Sequence, residues 1–213
     1  MSGARAAVLA RVRAALGPAA EVPEVPRAYR NAGALGARGD SVAVERFCER
    51  VADYRVNVRR VRGDELPGAL RDACARREAR RIAVPAQAPP WTVDGVELVR
   101  DDPPLSPRAL DGLDGVLSGC ALAIAETGTI VLDGAGVSGR RALTLVPDYH
   151  VCVVRSADIV PSVPDGVAAL ARVAAEGRPI TFISGPSATS DIELVRVEGV
   201  HGPRTLDVFV VDC

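Results

Sequence analysis

The chain contains no lysine: all 26 of its basic residues are arginine. Against 27 acidic residues the net charge is −1, so no general electrostatic pull toward nucleic acid or an anionic membrane surface is expected. Heat-adapted proteins usually gain lysine and glutamate, so all-arginine usage, beside abundant Ala, Gly and Val, reads as codon bias. No run of about 18 apolar residues occurs, which excludes an ordinary membrane-spanning helix. Arg5, Arg11 and Arg13 interrupt the apolar core that a secretory signal would need, and a cytoplasmic protein is expected. The five cysteines, Cys48, Cys74, Cys120, Cys152 and Cys213, stand far apart with no C-x-x-C pair. That spacing argues against an iron–sulfur cluster or zinc site, so no metal and no resident cofactor are expected and the thiols should be free. Cys152 lies in an apolar run and reads as core. Cys120 abuts a strand and is the one thiol placed for reactivity, although a core position fits it better. Also missing are the G-K-[ST] of a phosphate-binding loop, the G-x-G-x-x-G dinucleotide fingerprint and the G-x-S-x-G nucleophile elbow.

What is present is a globular composition, 48% hydrophobic and 25% charged in 213 residues, enough for one substantial domain with an arm. Residues 2–16 predict an amphipathic helix with Val8, Leu9, Val12 and Leu16 on one side, ended by Gly17-Pro18. Residues 17–40, with Pro18, Pro23, Pro26 and four glycines, read as a linker, giving an arm over 1–40 and an α/β domain over 41–213. Helical spacing returns at 41–53 and 64–78, with short strands at Val56–Val58, Arg81–Val84 and Val96–Val99. The order strand, helix, strand signals a parallel sheet. Further strands are expected over 116–132, 141–146, 150–154, 179–184 and 207–211, and a helix over 164–176.

Two segments carry polar groups where a fold does not need them. With 121–132 read as one strand, period two puts Glu126 on the face of Leu122, Ile124, Ile130 and Leu132, with Gly128 beside it. A carboxylate there is costly unless compensated, which suits an activated or ligand-binding group in space left by Gly128. A structural ion pair to Arg140, Arg141 or Arg155, or a bulge turning Glu126 outward, explains it as well. The second segment runs Ser184-Gly-Pro-Ser-Ala-Thr-Ser-Asp-Ile-Glu193 after the apolar run Ile180–Ile183. Ser187 and Thr189 suit an anion pocket or a turn. Ser190 and Glu193 have capping-box spacing, whereas in an extended chain Asp191 and Glu193 would share a face and could hold a metal or sugar hydroxyls. Of the two histidines, His150 opens a strand and His201 sits in a Gly-Val-His-Gly-Pro turn suited to acid–base work, although a surface or backbone-bonded histidine is the commoner outcome for either.

Ala123-Ile-Ala-Glu-Thr-Gly-Thr-Ile-Val-Leu132, Leu145-Val-Pro-Asp-Tyr-His-Val151, Ile183–Glu193 and Gly199-Val-His-Gly-Pro203 together resemble the LUD-domain family over roughly the C-terminal half. The resemblance implies a three-layer Rossmann-like α/β fold of the ribose-5-phosphate isomerase and CoA-transferase superfamily. It also implies a role in bacterial L-lactate oxidation to pyruvate beside partner proteins that carry iron–sulfur clusters. Three functions then compete: a non-redox subunit that binds a small anionic metabolite or supports its partners, a stand-alone CoA-transferase- or isomerase-like enzyme using Glu126, and a structural adaptor. Homo-oligomers fit any of the three. The candidate catalytic groups are Glu126 and His201, and the candidate ligand-binding residues are Thr127, Gly128, Ser184, Gly185, Ser187, Thr189, Asp191 and Glu193.

Overall fold

The structure is a computed structural model that describes residues 2–17, 24–186 and 202–212. The chain divides into two compact units, Met1–Arg30 and Asn31–Cys213. The first holds helix α1 (Ser2–Leu16), on which Val8, Leu9, Val12 and Leu16 are all exposed. No helix among the described residues is long and apolar enough to cross a membrane.

The second unit is built on six parallel strands. In chain order they are β1 (Asn57–Arg62), β2 (Arg81–Val84), β3 (Glu97–Arg100), β4 (Gly115–Gly119), β7 (Tyr149–Arg155) and β10 (Thr205–Asp212), arranged β1-β10-β7-β4-β2-β3. Central strands of a parallel sheet are covered on both faces, which is why β7 and β10 read as nearly continuous apolar runs. Val151, Val153 and Phe209 pack on one side with Leu70 and Cys74 of helix α3 (Leu66–Arg76). Cys152, Val154, Val208 and Val210 pack on the other with Val44, Phe47 and Val51 of helix α2 (Ser41–Asp53).

The second face also receives a smaller mixed sheet of β5 (Leu122–Ile124), β6 (Thr129–Leu132), β8 (Ile159–Val160) and β9 (Thr181–Ile183), in the order β8-β5-β6-β9. The run 116–132 is therefore not one strand. It leaves the parallel sheet after Gly119 and re-enters as an antiparallel hairpin in the second sheet, with Ile124 opposite Thr129. The stretch 141–146 is not a strand either. It is a set of turns, in which Leu143 N donates to Arg140 O and Val146 N to Ala142 O, because Leu143 is fully buried among Ala83, Leu110, Leu113 and Val116. The helix expected over 164–176 is split into α5 (Val163–Ala169) and α6 (Ala171–Ala175), with Leu170 buried between them against Leu122, Ile124 and Val160. A short helix α4 (Pro107–Asp111), capped by Ser106, had no sequence counterpart.

Residues 31–40, read from sequence as linker, are tied to this unit. Gly39 N donates to Ile159 O, Arg38 pairs with the buried Asp158 at 2.8 Å, and Gly33 N donates to Asp165. Short polar contacts of this kind hold glycine-rich chain that hydrophobic periodicity cannot detect.

Candidate functional site

Residues 125–128 form the turn of the β5–β6 hairpin, and Glu126 sits there half-exposed, not on an apolar strand face. Period two fails because the strand ends at Ile124 and the chain reverses through Gly128, whose φ of +62° is left-handed. Ala125 N donates to Val160 O and Glu126 N to Pro161 O, stitching the turn to the chain entering α5. Glu126 Oε2 then accepts from Val163 N at 3.2 Å, and Ser162 Oγ accepts from Asp165 N, so both side chains cap the first turn of α5.

The space beside Gly128 is filled by the protein itself. A Cβ at Gly128 would lie 2.7 Å from Arg50 C and Val51 N, backbone atoms of α2. Gly185, at φ +87°, is pressed against Tyr54 in the same way. Gly128→Ala combines left-handed strain with overpacking against backbone, and is expected to cost about 2 kcal/mol in urea denaturation. Wild-type stability in that variant would show that α2 is free to move aside.

Thr127 Oγ1 lies 2.7 Å from Thr129 Oγ1, which lies 2.8 Å from Ser184 Oγ, so three hydroxyls run in a line from the hairpin turn to the end of β9. Ser187, Thr189, Asp191, Glu193 and His201, and the Ser190–Glu193 capping pattern, lie outside the described residues. The Ser-Gly-Pro segment does not follow a strand of the parallel sheet. It follows β9, a half-exposed strand paired antiparallel with β6, whose Phe182 is 52% exposed. Such a strand belongs at a sheet edge rather than in a sheet covered on both faces.

Between the two sheets lies a cavity of about 220 Å³. His150 and Leu206 line it from the amino ends of β7 and β10, Arg141 and Thr144 from the turns after the hairpin, and Thr181–Pro186, Gly202 and Pro203 complete the described wall. Ser184 and Gly185 of the sequence-derived set therefore face this space.

The polar groups around it are unusual for so apolar an interior. Arg141 Nη1 donates to Thr144 O at 3.1 Å, and burial pushes the guanidinium pKa down. His150 is 1% exposed, with Nε2 2.8 Å from Ser118 Oγ. The same hydroxyl lies 3.0 Å from Gly119 O. Behind the ring, Cys120 and Cys152 are buried free thiols that titrate as a pair. Cys120 is held protonated by its hydrogen bond to Cys152 and by burial, which agrees with a core role. Cys152 is pushed down, chiefly by the bond from Cys120, with His150 adding to it.

Sequence reasoning gave Arg141 no role beyond ion pairing and did not bring Thr144 or His150 together with it. One clue was available: a histidine at the head of the run Tyr149-His-Val-Cys-Val-Val154 is buried from both sides and must find a polar partner.

A relative from Deinococcus radiodurans, lactate utilization protein C, is 55% identical over 169 residues, covering 79% of each chain. This chain belongs to the LUD-domain family. The family's LUD domain model matches residues 107–211, which hold the hairpin, the Arg141–Thr144 turns, β7 and β10. A lactate utilization protein C from Geobacillus kaustophilus is 30% identical over 69% of each chain, and the Escherichia coli protein YkgG is 39% identical over 42% of this chain. Among solved structures, a DUF162 family protein from Deinococcus radiodurans superposes with a TM-score of 0.69 at 48% identity, covering 79% of this chain and 96% of that one.

Proposed function

We propose that this protein is a non-redox component of a bacterial lactate utilization system and binds a small monocarboxylate of that system in the cavity between its two sheets. The observation that carries the reading is the cavity wall, where Arg141, Thr144 and the buried His150 come together beside Ser184. A guanidinium fork and a neighbouring hydroxyl suit a small organic anion in geometry and charge. About 220 Å³ lies below the 300–1,000 Å³ typical of drug-sized ligands, which suits a metabolite of a few heavy atoms. The names of the LUD-domain relatives supply the metabolic setting.

Oxidation of lactate needs an electron acceptor, and we assign that chemistry to iron–sulfur partner proteins. Among the described residues no group of three His, Cys, Asp or Glu is placed to hold a metal ion. A CoA-transferase- or isomerase-like enzyme, the competing reading, would put its chemistry on Glu126, whose carboxylate caps α5.

Thermal melting tests the ligand class. L-lactate or pyruvate at several times its dissociation constant should stabilise the protein by about 1 kcal/mol, raising Tm by about 2–4 °C. Arg141→Gln should abolish the shift. A shift that survives in Arg141→Gln would place the carboxylate elsewhere.

A further inference from the structure

We propose that Cys120 and Cys152 form an internal redox pair, a dithiol that hydrogen peroxide closes to a disulfide across the exit of β4. The proposal is independent of which ligand the cavity takes.

The sheet register brings the two thiols together. In the β4–β7 pairing Val116 stands opposite His150 and Ser118 opposite Cys152. Period two carries the same face on to Cys120, one residue past the end of β4. Ser118 reaches diagonally to His150, with Oγ 2.8 Å from Nε2. The same diagonal step, two residues further along both strands, joins Cys120 to Cys152, whose thiols are hydrogen-bonded to each other. Both are free, 5% and 0% exposed, and packed in one apolar cluster. Cys74, also buried, packs on the opposite face of the sheet with Phe209 and stands apart from them.

The surroundings set the order of events. The bond from Cys120 and the neighbouring His150 draw Cys152 toward thiolate, while Cys120 keeps its hydrogen, so Cys152 is the attacking sulfur. Its thiolate takes one oxygen of the peroxide, the O–O bond breaks, and the hydroxide released leaves as water with the thiol's proton. The sulfur of Cys120 then displaces hydroxide from this sulfenic acid. The S–S bond forms, the S–O bond breaks, and the proton of Cys120 leaves in a second water. Two thiols lose two electrons, and one peroxide becomes two waters. His150 is in the cavity wall and two residues from Cys152 on the same face, which makes the cavity the side of entry for so small an oxidant. The backbone can yield to the new bond because the β4 ladder ends at Gly119, where the chain crosses to the second sheet.

Peptide mapping of the folded full-length chain, exposed to hydrogen peroxide and then alkylated in denaturant, tests the pair. Cys120 and Cys152 should disappear together, about tenfold faster than Cys74, as one linked peptide pair two hydrogens lighter than the thiols, and dithiothreitol should restore both. In Cys120→Ser the reaction should stop at Cys152 as a sulfenic acid that dimedone captures. In Cys152→Ser, Cys120 should stay a free thiol at the same dose. The wild-type map decides the matter even if neither variant folds. Oxidation confined to Cys48 or Cys213 with the pair still alkylated, or a sulfenic acid at Cys152 that persists in wild type, would overturn the proposal.

Discussion

Growth on L-lactate as sole carbon source is expected to fail when Arg141→Gln replaces the native residue, while growth on glucose continues. A charge-assisted hydrogen bond to a carboxylate is worth about 1.5–3 kcal/mol, so losing the guanidinium should weaken ligand binding by roughly 10–150-fold. Glutamine keeps much of the side chain's packing and can still donate toward Thr144, so the fold should survive the change. Loss of growth with a protein that still melts cooperatively is therefore the expected pair of results. Glu126→Gln in the same strain separates the two candidate sites. It retains an oxygen that accepts from Val163 N, and is expected to grow. Failure of Glu126→Gln with normal growth of Arg141→Gln would move the chemistry to the hairpin turn.

The residue immediately before gives the opposite signature. Arg140→Ala is expected to cost about 3 kcal/mol of folding free energy. Arg140 Nε and Nη2 lie 2.7 and 2.9 Å from the two oxygens of Asp101, and Nη2 also donates to Leu105 O. Asp101 has 4% of its side chain exposed, and among the described residues the bond from Leu105 N at 2.7 Å is what remains to it without the fork. Breaking one side of a buried pair costs about 3–5 kcal/mol, and the 35% exposure of Arg140 places the loss at the low end. Arg140→Lys should recover only part, because an ammonium cannot form the same two-pronged contact. Chemical denaturation measures both, and a loss under about 1 kcal/mol for the alanine variant would show that water replaces the guanidinium.

These neighbours mark the limit of reading this site from sequence. Helices α1 and α2 were legible because Val44, Phe47 and Val51, like Val8, Val12 and Leu16, repeat at helical spacing, and β2 and β7 because their runs are short, branched and apolar. Periodicity carries no information on which sheet a strand joins. The run 116–132 kept its apolar character while crossing from one sheet to the other, so the phase assigned to Glu126 was lost at the turn. Glycine raised the opposite difficulty. Gly128 and Gly185 did mark close approach of another group, but that group is α2 and the residue after it, not a ligand. Arg141, Thr144 and His150 come from different segments, and the turns that bring them together exist because Leu143 must be buried. Only the tertiary packing joins them.

A crystal structure of the protein grown with pyruvate tests the central claim most directly. Density for the ligand in the cavity is expected, its carboxylate within hydrogen-bond distance of the Arg141 guanidinium. Density lodged instead against Glu126 and Thr127, or a cavity without ligand at concentrations that saturate binding in solution, would contradict it.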